Sequence, residues 1–359
     1  MDEYVSVALP TLAAGTAIDC SCPTAAVDAA FAGVFSAPAA FQAVVGPAHF
    51  QPKRHKRYLE DTLIDLNSSD NHLQGVQRAG DYLLVTGADW TEGRAHLFVV
   101  RAKRDANGVP TGGELVRVAC IDEQRAHPGG CQRLGSLLVV PVEGKGVDSC
   151  AKFFDVSNPA APSLVGGAST IARAGRAHAG AAAITCLPGG RFLAGVWWDE
   201  GAGKKAAMLD LYLSAGKDVR QGFSTQPFAL DFGKRLGVAV AYQSIAFLCP
   251  ERQAAPGGGV SVWMVGLRNT KQSTSNYFKG DDVADLFRLT IPDLATWGPA
   301  ANVDIVAKGS RTFKFGRRDG NFSAAAGVDV EPGGRIAVYA AHHWRDDRLL
   351  RFSFSRSGG

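Results

Sequence analysis

The stretch Asn71–Asp89, NHLQGVQRAGDYLLVTGAD, has a near twin at His127–Gly144, HPGGCQRLGSLLVVPVEG. Aligned from His72 and His127, each runs through a glycine to Gln-Arg, turns at a glycine, and returns on four or five apolar residues ending near an acid. A phrase written twice in this way marks a repeated supersecondary unit. Weaker copies begin at His178 (HAGAAAITCLPGGRFLAGVWWD), around Ala241 (AYQSIAFLC, then VSVWMVGLRN) and at Ser323 (SAAAGVDVEPGGRIAVYAAHHW). The copies recur at intervals of roughly 50–80 residues, which predicts five units.

Helical periodicity is confined to the Ala-rich Thr24–Phe35. Short apolar runs bounded by Gly, Pro, Asn or Asp recur elsewhere, among them HLFVVRAK, ELVRVAC, RFLAGVWW and LLRFSFS. These predict many short antiparallel strands. In each unit a strand of small residues turns, at Gly80, Gly135, Gly189-Gly190 or Gly333-Gly334, and comes back on a bulkier strand. Small residues suit an innermost strand crowded around a central axis, and larger ones the outer strands, as in a β-propeller blade. The expected fold is all-β: a single five-bladed propeller over residues 41–359, preceded by an irregular Ala-rich segment, residues 1–40. The last copy leaves only Arg348–Ser355 for a third strand, so its fourth is expected from the N-terminal side, within Phe41–Leu66. That join of N-terminal and C-terminal strands closes the ring and removes both sheet edges. A six-bladed propeller and a two-sheet β-sandwich are the alternatives, although a sandwich gives the recurring glycine turn no natural place.

The stretch Lys152–Gly167, KFFDVSNPAAPSLVGG, resembles the LVIVD-type bacterial propeller repeat, in which a strand ending in Asp-Val-Ser-Asn-Pro is followed by a short Pro turn and an outer strand. The resemblance covers about a third of one blade, once. It implies the fold and no activity.

The chain has 359 residues, 46% hydrophobic and 20% charged, with no run of about 18 apolar residues that would span a bilayer. Its net charge of +4 is small, and the basic run Pro52–Arg57 reads as a solvated face, so neither nucleic acid nor membrane is expected as a partner. A monomer is expected. The seven cysteines lack metal-ligand spacing, Cys20-Ser-Cys22 being the one close pair, and most read as reduced packing residues. Met1–Tyr4 carries two acids, and Val5–Ile18 is broken by Pro10 and Gly15, so no export signal is evident. Cytoplasmic placement is favoured, with a secreted mature form as the alternative.

Antiparallel geometry places the start of each first strand and the end of its partner on one rim, commonly the ligand face of a propeller. The starts carry His72, His127 and His178; the ends carry Asp89, Glu143, Asp199, His342 and His343. His72, His127 and His178 could hold a divalent metal ion with one position open. The candidate catalytic residues are His127, Glu143, Asp89, Asp199, His342 and His343, as acids, bases or orienters of the imidazoles. Against a ring of metal ligands, the later copies offer Tyr242 and Ser323 in place of histidine. Trp90, Trp198, Trp344 and Tyr242 are candidate substrate-binding residues, suited to a planar or apolar ligand. The repeated pairs Gln77-Arg78 and Gln132-Arg133 read as ties between blades. Gly257–Gly259 lacks the Lys and Ser/Thr of a phosphate-binding loop, and neither a GxSxG elbow nor an HExxH helix is present.

Two classes of function stay open. One is an enzyme acting on a small organic molecule at the channel mouth by acid–base or metal-assisted chemistry, with hydrolysis, elimination and isomerisation all available. The other is a non-catalytic propeller that binds a protein or glycan through its rim. The rim residues differ from copy to copy, as a single asymmetric active site requires, and this favours the enzyme.

Overall fold

The computed structural model describes residues 2–3, 6–21, 25–34, 39–45, 51–52, 72–89, 93–144, 146, 148–199, 207–237, 240–249, 259–270, 280–295, 297–298, 302–315, 320–323, 325–342 and 349–357. The N-terminal part contributes β1 (Asp2–Glu3), β2 (Val7–Ala8), helix α1 (Val27–Ala32), β3 (Ala39–Val45) and β4 (Gln51–Pro52). The rest is a series of antiparallel meanders. The first runs through β5 (Leu73–Ala79), β6 (Tyr82–Asp89), β7 (Arg94–Arg104) and β8 (Pro110–Asp122). The second has an interrupted inner strand, β9 (His127–Pro128) and β10 (Gln132–Leu134), then β11 (Leu137–Glu143), β12 (Ser149–Asp155), and an outer edge of β13 (Ser163–Leu164) and β14 (Ile171–Arg173). The third is β15 (Ala181–Cys186), β16 (Phe192–Asp199), β17 (Ala207–Leu213) and β18 (Phe228–Asp231), followed by helix α2 (Phe232–Leu236). The fourth is β19 (Ser244–Leu248), β20 (Val260–Asn269), β21 (Asp282–Ile291) and β22 (Asp304–Phe313). The fifth is β23 (Ala325–Val330), β24 (Ile336–Ala341) and β25 (Leu349–Arg356), completed by β3, which pairs antiparallel with β25 through Phe41 opposite Phe352.

The first strands of successive meanders lie against one another in chain order, and β23 returns to β5. This is a β-propeller. Its inner apolar runs do not alternate with polar residues because both faces of the inner strands are covered. In β6, Leu83 and Val85 pack toward the last meander, while Leu84 packs toward the second. A two-sheet sandwich would bury only one face of each sheet. The first and last meanders meet twice. Ala326 bridges Gly75 near the axis, and β3 runs parallel to β8 at Ala43–Val45, so eight strands form a closed circuit of pairings.

The glycines of the repeat have two separate causes. Gly80 and Gly135 sit in the left-handed region, φ 60° and 58°, as a two-residue hairpin loop requires. Nearer the axis the cause is crowding. A Cβ on Gly327 would lie 1.6 Å from the Val76 carbonyl oxygen, and one on Gly130 would lie 2.2 Å from that of Gln243.

Gln77 and Gln132 satisfy backbone groups that the inner strands leave open. The Gln132 amide donates to Phe247 O at 2.7 Å and accepts from the N–H groups of Ile184 and Phe247, both at 2.9 Å. One side chain thus ties the second, third and fourth meanders together across the axis. Gln77 donates to Cys131 O, while Arg78 and Arg133 reach Glu331 and Asp329 of the last meander at 2.5 and 3.1 Å. The repeated Gln-Arg is therefore an inter-sheet tie, as its sequence context suggested.

The N-terminal segment is integrated with the sheets. Val7 pairs with Ala119, Thr11 bridges Leu164, Ser136 N–H donates to Asp19 O, and Val27 and Phe31 of α1 join the core between the fourth and fifth meanders. The contacts of Ser136 N–H with Asp19 O and of Ala25 N–H with Cys249 O fall at the hairpin-turn side of the sheets, opposite the rim that carries His72 and His127. The stretch that resembles the LVIVD-type repeat forms the end of β12, a turn through Ser157 and Asn158, and β13. Cys249 is disulfide-bonded, while Cys20, Cys120, Cys131, Cys150 and Cys186 are free. Among the described residues no helix is long and apolar enough to cross a membrane.

Candidate active site

Glu143 ends β11 directly opposite His127 in the ladder between β9 and β11, so this carboxylate and imidazole are a cross-strand pair fixed by register. Glu143 Oε1 lies 2.9 Å from His127 Nδ1. The other ring nitrogen, Nε2, faces His72 Nε2 at 3.2 Å, with ring centroids 5.1 Å apart. The Gln74 amide nitrogen sits between them, 2.7 Å from His127 Nε2 and in contact with His72 Nε2. Glu143 Oε2 accepts the Ala179 N–H at 2.6 Å and lies 3.6 Å from His178 Nδ1. The sequence-predicted residues His72, His127, Glu143 and His178 therefore form one contiguous chain of contacts, reinforced by Gln74.

The electrostatics follow from that geometry. Burial alone would raise the Glu143 carboxyl. Hydrogen bonding to His127 and His178, the charge of His127 and the Ala179 N–H outweigh it and hold the group well below the usual carboxylate range. His178, half exposed, is raised above its ordinary 6.5, first by its bond to the Glu143 carboxylate, against some desolvation and with help from Asp199. A carboxylate on Nδ1 fixes the His127 tautomer and leaves the Nε2 lone pair directed at His72 and Gln74. The arrangement can accept a proton at Nε2 and stabilise the imidazolium that results.

The remaining candidates are dispersed. His178 precedes β15 in a loop instead of beginning the strand, and is linked to His127 through Glu143. Among the described residues no group of three or more His, Cys, Asp or Glu side chains is arranged to hold a metal ion. Asp199 ends β16, where its charge acts on His178. His342 follows β24, is buried, and donates its backbone N–H to Arg351 O. Asp89 ends β6; its side chain, with Trp90, His343 and Trp344, lies outside the described residues. Tyr242 departs from the expected rim position. Its ring is 3% exposed and packs against Trp197 and Phe287, and its hydroxyl donates to Asp285 at 2.9 Å. Trp198 is partly buried on the face of β16 opposite Trp197, which is in the core. An aromatic substrate wall is thus not what the described rim offers.

Gln74 is the residue the sequence reading missed. Its counterpart two positions after His127 is Gly129, so overlaying the copies hides it.

No family model matches the chain, and no curated protein matches it. Similar solved structures include a thermostable family-43 glycoside hydrolase, at 10% identity over 80% of this chain and 90% of that one, with a TM-score of 0.44. The GH43 endo-arabinanase from Bacillus licheniformis is 9% identical over 79% and 92%, with a TM-score of 0.41. The catalytic domain of the Coprinopsis cinerea GH62 α-L-arabinofuranosidase is 11% identical over 88% and 96%, with a TM-score of 0.38.

Proposed function

We propose that the meanders are the blades of a single five-bladed propeller, and that the rim carrying His127 is the active site of an enzyme moving protons on a polar small molecule. The observation that carries this reading is the position of His127. A carboxylate holds its Nδ1 at 2.9 Å while its Nε2 is aimed at a second imidazole 3.2 Å away. In this reading His127 is the general base, Glu143 orients it and balances its charge, His72 receives or returns the proton, and the Gln74 amide N–H groups align the two rings. Polar substrates are favoured because the described rim presents His, Glu, Gln and Asp, while Tyr242 and Trp197 are in the core. Isomerisation, elimination and hydrolysis of a hydroxylated molecule all use this unit.

The test is a panel of ketoses, aldonolactones and nitrophenyl glycosides, turned over by wild type and by His127→Ala. A loss of about 100-fold or more in kcat on whichever substrate reacts supports the dyad. Turnover that survives His127→Ala places the chemistry elsewhere.

A second reading has its own support. Two imidazole nitrogens bound to one divalent ion at about 2.0–2.1 Å with near-tetrahedral angles stand roughly 3.3 Å apart, close to the observed 3.2 Å. In this reading His72 and His127 hold the ion, which would act as a Lewis acid on substrate. Stoichiometric zinc retained by the untagged protein, and lost in both His72→Ala and His127→Ala, decides for it. The disulfide at Cys249 supports the secreted alternative, since intracellular thiols are kept reduced.

A further inference from the structure

We propose that Arg173, paired with Asp210, is a positioning residue of this site, fixing the His178–Ala179 peptide that in turn holds Glu143. The inference rests on the reading of Glu143 as the partner of His127. Arg173 ends β14 in the second meander and Asp210 lies in β17 of the third; both side chains are fully buried, with Nη2 2.6 Å from Oδ2. Burying such a pair costs desolvation that packing alone seldom rewards, so its other contacts bear on why it is there.

Those contacts converge on one loop. Arg173 Nη1 donates to the carbonyl of His178 and to Ser149 Oγ at 2.9 Å, and Nε approaches the Tyr212 hydroxyl at 3.4 Å. Ser149 Oγ donates to Arg176 O at 2.7 Å and lies 3.4 Å from His178 O. Arg176 Nη1 also reaches Asp210 Oδ2. The Arg173 guanidinium thus holds His178 O directly, and Ser149 and Asp210, both bonded to it, hold Arg176.

The mechanical link is the planarity of the peptide. The C=O of His178 and the N–H of Ala179 belong to one rigid unit and point in opposite directions. Pinning the oxygen on Arg173 therefore aims the N–H, and it is this N–H that meets Glu143 Oε2 at 2.6 Å. The other Glu143 oxygen is then presented to His127 at 2.9 Å. Asp210 and Arg173 reach the proton-transfer unit without touching it.

The experiment follows the backbone amide of Ala179 by NMR, its proton shift and its exchange with water, in Arg173→Lys and Ser149→Ala. Lysine keeps the positive charge beside Asp210, but its single nitrogen cannot stand where Nη1 and Nη2 both stand, so His178 O loses its pin. Keeping the charge isolates the geometry. The Ala179 N–H that meets Glu143 Oε2 at 2.6 Å is expected at low field in the wild type. The expected result is an upfield move and exchange about 10-fold faster or more in Arg173→Lys, with a smaller change in Ser149→Ala. An Ala179 amide with wild-type shift and exchange in folded Arg173→Lys overturns the proposal. If that variant does not fold, an unchanged Ala179 amide in Ser149→Ala overturns it alone. The readout needs no substrate, so an active His127→Ala would end the functional reading and leave this result standing.

Discussion

Replacing Gly327 by alanine tests the closure between the first and last meanders. The added methyl would sit 1.6 Å from Val76 O and 2.7 Å from Gln77 Nε2. Ordinary contact is about 3.5 Å, so the two inner strands must part by roughly 1.5–2 Å, mostly against backbone that cannot rotate away. That separation breaks the Ala326–Gly75 bridge and displaces the Gln77 amide from Cys131 O. Overpacking a close-packed core costs about 1–3 kcal/mol, and a clash with backbone belongs at the upper end. Unfolding entropy of about 2.1 cal/mol/K per residue gives roughly 0.75 kcal/mol/K for this chain, so about 3 kcal/mol lowers Tm by about 4 °C. Gly309 is the control, since a Cβ there meets nothing within 4 Å. Its alanine variant should be neutral or gain up to about 1 kcal/mol. Calorimetric melts of both variants decide the matter, and a Gly327→Ala protein that melts with wild type would refute the close approach of β5 and β23.

Asp282 is raised to about 6 by burial, only partly offset by Asn269 and the Phe322 N–H. Its folded value exceeds the unfolded 3.8, so it penalises folding above pH 6 and not below about 4; Asp282→Asn should gain up to about 3 kcal/mol at pH 7.5 and almost nothing at pH 4. Equal urea midpoint shifts at the two pH values would count against this. Glu143 is held below its ordinary 4.5, so its contribution is present above that value and is lost as pH falls further. Glu143→Gln should cost about 1–3 kcal/mol at neutral pH, with the gap to wild type closing on acidification; a gap constant down to pH 2 contradicts it. Thiol labelling of the denatured protein should count five free cysteines before reduction and seven after, and seven at the outset would remove the disulfide.

The legible parts of this fold are those where one physical cause acts alone. Unbroken apolar runs such as YLLVTG reflect sheets covered on both faces, and the small-residue strands reflect crowding at the axis, as Gly130 and Gly327 show. The closing strand was visible as a deficit in the last copy; it begins at Ala39, two residues before the expected stretch. The pairing of His127 with Glu143 was legible because antiparallel register alone puts them opposite. Tyr242 was misread because its fate depends on a partner distant in sequence. Gly266 leaves the space that the ring fills, a Cβ there lying 2.6 Å from it. Two adjacent tryptophans likewise cannot share a face of one strand, so Trp197 went to the core. Gln74 and the Arg173–Asp210 pair carry no repeat signal, and only three-dimensional contact reveals them.

The measurement that bears most directly on the account is the proton spectrum of the imidazole N–H groups in nitrogen-15-labelled protein at neutral pH. A His127 Nδ1–H bonded to Glu143 at 2.9 Å should appear as a low-field signal, slow to exchange with water. The account predicts that this signal vanishes in Glu143→Gln and His127→Ala and shifts in His72→Ala, whose ring faces the other nitrogen. A spectrum with no low-field imidazole signal, or one that Glu143→Gln leaves in place, would contradict the dyad and the function built on it.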